Sequence, residues 1–269
     1  MPKIDLHTHS TFSDGTSSPE EVVRMALKSG IKLLALADHD TTDGVSRAQQ
    51  ICAEHAVLFT PAVEISTCEH DHLHFTGYRL DLTNQEFQNF LNQNRENRKN
   101  RILKIIHQLA QAGVPITEED VFSRAPNTVS RAHVADALKA KKIVSTRQEG
   151  FKKYLVPGCV GYVPSTGVTA VEAIKNIKKA GGIAVIAHPG MVREIWDFPA
   201  WKEAGLDGIE VFYPAHTFTL KQELLALARK YGLFCTGGSD YHGPHGGRIT
   251  SPGMEIPQTH YNRLLSKLF

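Results

Sequence analysis

The sequence predicts a barrel-like α/β fold, and three observations lead to it. Apolar runs typical of strands buried on both faces alternate along the chain with helical patterns. Several of these runs carry histidine or carboxylate residues at their ends, and barrel enzymes collect their chemistry on the face where the strands end. One region, residues 81–163, departs from the alternation and has mainly helical patterns. The sequence therefore also predicts an inserted helical subdomain.

The first predicted strand lies in the segment KIDLHTHSTFSDG, from Lys3 to Gly15. Its apolar residues alternate with polar ones and then give way to His7, His9 and Asp14. Side chains two residues apart on an extended chain point to the same side. The two histidines can therefore bind one ion together, although an isolated His-x-His motif also occurs by chance as a pair of surface residues.

Clear helix signals separate the predicted strands. In SPEEVVRMALKSG, Ser18 is suited to cap the first helix, Pro19 to begin it and Gly30 to end it. The segment VTAVEAIKNIKKAGG ends on a similar pair of glycines. Together with the apolar runs, these signals give the order strand, helix, strand, helix.

The later apolar runs repeat the association of a strand with histidine or carboxylate. They are IKLLALADHD with His39, AVLFTPAVE with Glu64, HLHFTGY with His72 and His74, GGIAVIAHPG with His188, and GLFCTGGSDYHG with Asp240 and His242. A doubly wound open sheet could alternate in the same way, but it usually binds its ligand at one switch point. The recurrence at nearly every strand favours a barrel and argues against a chance arrangement.

The inserted subdomain is predicted at residues 81–163, between barrel segments 1–80 and 164–269. It begins with the long amphipathic run TNQEFQNFLNQNRENRKNRILKIIHQLAQAG. The apolar stripe of this run includes Ile102, Ile105, Ile106 and Leu109. Short helical pieces joined by Pro and Gly follow. Within the long run, we interpret the basic segment RENRKNRILK as a solvated helix face rather than a nucleic-acid track.

Composition limits the classes of function. With 269 residues, 41% of them hydrophobic and 22% charged, the chain can bury a large core. The formal net charge of +2 is too small to indicate an electrostatic nucleic-acid binder, so a DNA duplex is not expected as a partner. No signal sequence and no apolar run of the ~18 residues that span a bilayer are visible, so we expect a cytoplasmic protein without a membrane partner. The cysteines are scattered, with no spacing typical of a thiolate zinc site.

Several segments resemble the PHP (polymerase and histidinol phosphatase) phosphoesterases, in particular the branch that includes nucleoside 3′,5′-bisphosphate phosphatases. In chain order, these segments are DLHTHSTFSDG, ALADHDTTDG, VEIS, HFTGY, AHPG and GGSDYHG. The resemblance implies a distorted (β/α)7 barrel with two or three divalent metal ions at the C-terminal face of the strands. It also implies hydrolysis of phosphate from a small nucleotide, with the 3′-phosphate of a nucleoside 3′,5′-bisphosphate as the leading hypothesis.

The resemblance further implies how the ligands are divided among the ions. The ligands of the first metal would be His7, His9, Glu64 and Asp240. Those of the second would be His74, His188 and the bridging Glu64. Those of the third would be Asp14, His39 and His242. The residues expected to be catalytic, through a hydroxide shared between metals, are Glu64, Asp14 and His242. Imidazole and carboxylate ligands suit Mn²⁺, Fe²⁺ or Zn²⁺, and Mn²⁺ is the leading expectation.

Substrate-binding residues are expected in the insert. The segment SRAHVADAL places Arg131 and His133 near a helix start, and it resembles a family segment that faces the active site. Arginine suits phosphate because its planar fork donates two parallel hydrogen bonds. A solvated charge beside a capping serine would give the same pattern. The weaker candidates are Lys152, Lys153, Arg193 and His216.

Other residues beside the expected ligands have open roles. Asp5, Asp38 and Asp40 could orient imidazoles, or they could cap turns. His70 and His72 compete with His74 as a ligand. We favour His74 because it alone stands in the HFTGY segment that carries the resemblance.

Two alternative functions remain beside the leading one. The same site could act as a 5′→3′ exonuclease on short oligoribonucleotides if the insert leaves a channel. From a different class, the chain could be a non-catalytic, metal-stabilised module. The expected partner under both enzyme hypotheses is a small phosphorylated substrate, either a nucleotide or short RNA.

Overall fold

The computed structural model describes residues 1–247 and 249–269. Short strands form the centre of the molecule, and most of their residues are buried. In chain order they are β1 (Lys3–Asp5), β2 (Leu33–Leu34), β3 (Leu58–Phe59), β4 (Ala62–Ser66), β5 (His74–Tyr78), β6 (Ile183–Ile186), β7 (Gly208–Phe212), β8 (Phe234–Gly237) and β9 (Met254–Glu255).

The strands close into a barrel, which has seven strands in the described residues if β3 and β4 are counted as one and the short β9, an antiparallel neighbour of β1, is left out. One sheet has the order β3-β2-β1-β9 and the other has the order β4-β5-β6-β7-β8. Two isolated bridges join the sheets, from His39 to Glu64 and from Thr8 to Tyr241. The strands β3 and β4 form one path, which is interrupted at Pro61 because proline cannot donate a ladder hydrogen bond. The predicted α/β barrel is therefore confirmed.

One strand runs against the predicted direction. The strands β4 and β5 form an antiparallel pair in which Ser66 faces His74, and β5 is also antiparallel to β6. Our expectation that the polar residues follow the C-termini of parallel strands is therefore wrong for His74, which begins β5. Because a hairpin reverses the chain, β5 starts at the same rim of the barrel where its parallel neighbours end. This reversal is one source of the barrel's distortion.

The helices cover the barrel and the inserted region. They are α1 (Pro19–Lys28), α2 (Val45–Glu54), α3 (Gln85–Gln111), α4 (Glu118–Phe122), α5 (Arg131–Ala140), α6 (Arg147–Gly150), α7 (Ala170–Lys179), α8 (Phe198–Ala204), α9 (Phe218–Tyr231) and α10 (Gln258–Leu268). A π-helical turn covers Phe151–Leu155 and a 3₁₀ segment covers Pro189–Ile195. The signals at the first helix are confirmed, since Ser18 caps α1 and accepts a hydrogen bond from the Glu21 N–H.

The long helix α3 packs against two different hydrophobic clusters. Its first half contributes Phe87 and Leu91 to the barrel core. Its second half contributes the predicted stripe to a separate cluster, whose buried members all lie within residues 102–163. The division between the two cores thus falls inside α3, and the boundaries at residues 81 and 163 stay a prediction. Within the described residues, no helix has the length and hydropathy needed to cross a membrane.

Candidate active site

The barrel rim brings all nine sequence-predicted metal ligands into one cluster. They lie on the loop after β1, on the segment after β2, in β4, at the start of β5, and after β6 and β8. In chain order they are His7, His9, Asp14, His39, Glu64, His74, His188, Asp240 and His242. Most of these side chains are nearly inaccessible to solvent. Among the described contacts of the HDHLH segment, only His74 reaches Glu64.

Glu64 is the centre of this cluster. Each of its two oxygens lies close to a different set of imidazole nitrogens. The Oε2 atom lies 3.2 Å from His7 Nε2, 3.3 Å from His9 Nε2 and 3.1 Å from His39 Nδ1. The Oε1 atom lies 2.9 Å from His74 Nδ1 and 2.9 Å from His188 Nε2. The carboxylate thus faces two groups of nitrogen ligands, which is the arrangement that a bridging ligand requires.

Three groups of side chains offer ligand atoms within 4.8 Å of one another. The first group is His7, His9, Glu64 and Asp240. The second group is His39, Glu64 and His74. The third group is His9, Asp14, His39 and His242. The first has the residues of the expected division. The second contains His39 and not the expected His188, whose Nε2 nevertheless lies 2.9 Å from Glu64 Oε1, and His9 joins the third. Neighbouring groups therefore share His9, His39 and Glu64.

The buried polar atoms of the cluster fit divalent cations. Among the described side chains, His7 Nε2, His9 Nε2, His39 Nδ1 and Asp14 Oδ1 are buried without a hydrogen-bond partner. Buried nitrogen and oxygen atoms without partners are costly, and a metal ion would satisfy these. The mixture of imidazole and carboxylate also suits Mn²⁺, Fe²⁺ and Zn²⁺.

The carboxylates of the cluster keep their negative charge. Burial alone would raise the pKa of Glu64, but the charges of His7 and His39 outweigh it and hold the pKa well below its ordinary value. The pKa of Asp14 is likewise held well below its ordinary value by His39 and His242, against burial. Ionised carboxylates at neutral pH are the form that binds a cation.

Glu210 is a residue of the site that we did not predict from the sequence. It lies in β7, is 1% exposed, and its Oε1 is 3.2 Å from His7 Nδ1. Its Oε2 accepts a hydrogen bond of 2.6 Å from the His188 backbone N–H. A carboxylate on the far nitrogen of an imidazole fixes the orientation of the ring and raises its basicity. The sequence signal that could have revealed it is a glutamate inside the apolar run GIEVF, since a carboxylate in a buried strand needs a partner.

The backbone beside the cluster is tightly packed at Gly238. A Cβ atom at this position would lie 2.2 Å from His7 Cβ and 2.7 Å from the His7 backbone nitrogen. Every other residue type carries a Cβ atom, so only glycine fits without a shift of the chain. This close approach lets β8 deliver Asp240 next to the end of β1, where the Asp240 N–H donates to the His7 carbonyl.

The three aspartates with open roles hold loops rather than imidazoles in the described contacts. Asp5 accepts from the backbone N–H groups of His7 and Ser239. Asp38 accepts from the hydroxyls of Ser10 and Ser13. Asp40 accepts from α3 and is described with the arginines below. These carboxylates fix the rim segments that carry the cluster.

A cavity of about 730 Å³ opens over the cluster, and four arginines line it. Arg147 contacts the loops of the rim, and the other three, Arg98, Arg101 and Arg131, form one wall. Arg98 Nε donates to Asp40 Oδ2 at 2.6 Å, and Arg98 Nη2 donates to Ser66 Oγ. Asp71 binds the other two, with Arg101 Nη2 at 2.6 Å from Oδ1 and Arg131 Nη1 at 2.8 Å from Oδ2. Burial and the neighbouring Arg131 lower the pKa of Arg101 to about 10 in spite of Asp71. Three guanidinium groups face only two carboxylates, Asp40 and Asp71, so positive charge is in excess at this wall.

Two of these arginines contradict our interpretation of the basic run in α3. We expected a solvated helix face, but the side chains of Arg98 and Arg101 are only 16% and 12% exposed. A solvated helix face and a helix with buried arginines can have the same composition, so the composition of the run could not distinguish them. The spacing could have done so, because Arg98 stands seven residues after Leu91 and seven before Ile105, on the buried stripe.

The predicted substrate-binding residues lie in different surroundings. Arg131 lines the cavity, and so does Lys152. His133 is buried, and its Nδ1 accepts from the Ser130 N–H as part of the α5 cap. His216 is buried with both ring nitrogens near backbone groups, and Arg193 pairs with Glu223 on the surface. His133, His216 and Arg193 are not part of the cavity wall as described, and Lys153 pairs with Glu149.

The comparisons with known proteins agree with this geometry. The model of the PHP domain family matches residues 5–165. A 5′-3′ exoribonuclease of Haemophilus influenzae is 37% identical over 91% of this chain and 91% of its own length. A 3′,5′-nucleoside bisphosphate phosphatase of Chromobacterium violaceum is 35% identical over 96% of this chain and 93% of its own.

A solved structure extends the agreement to the fold. The structure of a metal-dependent phosphoesterase from Bifidobacterium adolescentis superposes with a TM-score of 0.89 at 30% identity, covering 98% of this chain and 95% of its own. These relatives are phosphoric ester hydrolases, so the alternative of a non-catalytic module loses its support. The chain belongs to the PHP domain family and is a metal-dependent phosphoesterase that uses divalent metal ions.

Proposed function

We propose that this enzyme removes the 3′-phosphate from a nucleoside 3′,5′-bisphosphate. The observation that carries the proposal is the presence, within one cavity, of the histidine and carboxylate cluster and of the arginine wall formed by Arg98, Arg101 and Arg131. Metal ions held by the cluster can act on one phosphate, and the arginines can bind another phosphate of the same molecule. The relative in Chromobacterium violaceum, named as a 3′,5′-nucleoside bisphosphate phosphatase, supports this choice.

The three groups of ligand atoms, with His188 added beside Glu64 Oε1, are the proposed metal sites. Glu64 would bridge two ions, because imidazoles surround both of its oxygens. Asp14 and His242 would hold a third ion together with His39. Mn²⁺ is the proposed ion and Zn²⁺ or Fe the alternatives, since none of these groups contains a thiolate ligand.

The chain's own residues would organise the reaction around these ions. Bound divalent ions lower the pKa of a water molecule and neutralise charge on phosphoryl oxygens. Glu64 would set the spacing of the central pair, and Glu210 would keep the ring of His7 in its binding orientation. Tyr213, whose hydroxyl donates to Asp240 Oδ2 at 3.1 Å, would fix the rotamer of that carboxylate. Rigid placement of the ligands is what positions the scissile phosphate for attack.

The arginine wall would bind the second phosphate. Arg98, Arg101 and Arg131 carry three positive charges against the two negative charges of Asp40 and Asp71. The aspartates hold the guanidinium groups in place, so little side-chain entropy remains to be lost when a phosphate binds. Arginine also matches phosphate geometry with paired donors. The excess charge therefore favours a substrate with a dianion remote from the bond being cleaved.

A second candidate function has its own support. Sites for small ligands usually measure about 300–1,000 Å³, and the cavity of about 730 Å³ lies in the upper part of this range. This volume leaves room for more than the phosphate groups of one small substrate. The similarity to the exoribonuclease of Haemophilus influenzae points in the same direction. Hydrolysis of short RNA from its 5′ end is therefore the alternative.

One set of substrates separates the two candidates. Purified enzyme with Mn²⁺ would be assayed on adenosine 3′,5′-bisphosphate, adenosine 3′-monophosphate and a 5′-phosphorylated tetraribonucleotide. The proposal expects phosphate release with the highest kcat/KM on the bisphosphate. A higher kcat/KM on the tetranucleotide, with mononucleotide release, would favour the exonuclease. Equal rates on the two adenosine compounds would refute a role for the second phosphate.

A further inference from the structure

We propose that the inserted region completes the third metal group, through two positioning residues that hold Asp14. These are Ser130, which caps α5, and Arg147, which begins α6. Both belong to the predicted insert, whereas Asp14 lies on the loop after β1. The inference rests on the proposed role of Asp14 as a metal ligand, and it goes further by making the insert part of the metal site.

Ser130 acts on the side chain of Asp14. Its hydroxyl donates to Asp14 Oδ2 at 2.9 Å, and both residues are buried. The other oxygen, Oδ1, lies 3.2 Å from His242 Nε2 and has no hydrogen-bond partner among the described residues. One oxygen is thus bound by the insert, which directs the other toward the cluster. A hydrogen bond of this kind fixes a ligating carboxylate in one rotamer.

Arg147 acts on the backbone of the same loop. Its Nη1 donates to the Asp14 carbonyl at 3.3 Å and to the Gly246 carbonyl, which belongs to the loop after His242. Its Nε and Nη2 donate to the two oxygens of Asp136 on α5. One guanidinium therefore joins the insert to both loops that carry the third group.

The hydrogen bonds of Arg147 distinguish it from Arg131, which is proposed to bind substrate. Four of its five N–H donors have protein acceptors, two on Asp136 and two on backbone carbonyls. Arg131, by contrast, uses only Nη1 in the described contacts. Arg147 is 7% exposed, so little of it is left for a ligand. Although Arg147 lines the cavity, its role is to connect the insert to the two loops of the barrel rim.

Two further contacts between the insert and the barrel loops support the same role. The Thr128 N–H donates to the Phe12 carbonyl at 3.1 Å, and Asn127 contacts Asp43. Thr128 and Phe12 lie in the segments that lead to Ser130 and Asp14. The insert therefore holds the β1 loop at Phe12 and at the proposed ligand itself. A shift of the insert would move Asp14 but would leave Glu64 in its strand.

The test measures metal binding instead of turnover. Metal-free protein would be titrated with Mn²⁺, and free Mn²⁺ would be counted by electron paramagnetic resonance. Changes to groups that orient metal ligands weaken metal affinity by about 10- to 100-fold. Ser130→Ala and Arg147→Met should therefore raise the dissociation constant of one ion, that of the third group, by about this factor. The other ions should keep their affinity, and Ser130→Thr, which retains the hydroxyl, should bind Mn²⁺ like wild type.

Two controls make every outcome informative. Thr117→Ala removes the N-cap and capping box of α4 in the same region. Thr117 has no described contact with Asp14, so this variant measures the effect of losing a helix cap alone. Asp14→Ala tests the ligand itself. If it leaves all ions bound, the assignment of Asp14 fails, and this inference fails with it. If Asp14→Ala loses an ion while Ser130→Ala and Arg147→Met bind Mn²⁺ normally, only the positioning role is refuted.

The folding of the variants is followed by circular dichroism. Should Arg147→Met not fold, Arg147→Lys replaces it, because it keeps the charge while losing the fork that reaches Asp136 and the loop carbonyls together. Equal weakening of Mn²⁺ binding in Ser130→Ala and Thr117→Ala would also overturn the inference, since the effect would then come from a loosened helix end.

Discussion

Replacement of Arg131 by alanine tests the proposed binding of a second phosphate. In the structure, Arg131 Nη1 donates to Asp71 Oδ2 at 2.8 Å and to the Leu155 carbonyl at 3.3 Å. Its Nε and Nη2 have no acceptor among the described residues, and the side chain lines the cavity. The free edge of the guanidinium is therefore available to a phosphate oxygen.

The size of the effect follows from these contacts. A hydrogen bond to a charged group contributes about 1.5–3 kcal/mol. Arg98 and Arg101 would remain in Arg131→Ala, so we expect the loss of one such contact rather than of the whole subsite. This corresponds to a fall of about ten- to a hundredfold in kcat/KM. The contact lies away from the scissile bond, but it orients the substrate, so part of the loss should appear in kcat.

The assay compares two substrates with the same scissile bond. Adenosine 3′,5′-bisphosphate carries the second phosphate and adenosine 3′-monophosphate lacks it, so only the first should lose kcat/KM in Arg131→Ala. Equal losses on both would place Arg131 in the catalytic step or in the fold. Unchanged values on both would mean that its free donors do not touch the substrate. Arg47→Ala, which removes a surface arginine paired with Glu20, is the matched control.

Three further predictions concern the cluster and the cavity wall. Glu64→Gln should lose at least one bound ion and several orders of magnitude in rate, since it weakens the proposed bridge; full activity with unchanged metal content would contradict the cluster. His242→Ala should lower the rate while metal analysis still finds the ions around Glu64; an empty site would show that the groups are not separable. Arg131 and Arg101 outweigh burial and lower the pKa of Asp71. Its ion pairs should therefore stabilise the fold above the unfolded pKa of about 3.9 and weaken as pH falls below it. In chelator, the Tm difference between wild type and Asp71→Asn should shrink below that pH; a constant difference would refute the ion pairs.

Local signals in the chain were enough to predict several parts of this molecule. Ser18 caps α1 as expected, because capping depends on residues three positions apart. The stripe from Ile102 to Leu109 is buried, since helical spacing puts these residues on one face. The histidine and carboxylate motifs come together at one rim because strands in a barrel share that rim. In each case the deciding information lies within a few residues or repeats along the chain.

Other features depend on which segments meet in space. The reversal of β5 follows from its pairing with β4 and β6, and the apolar run of a strand has no direction. The roles of Glu210 and Arg98 depend on partners far away in sequence, His7 for one and Asp40 for the other. A buried charge is stable only beside its partner, so its position in the chain cannot reveal whether it is solvated or paired. Only the tertiary structure, by bringing α3 and the insert over the barrel rim, decided which of the arginines face the cavity.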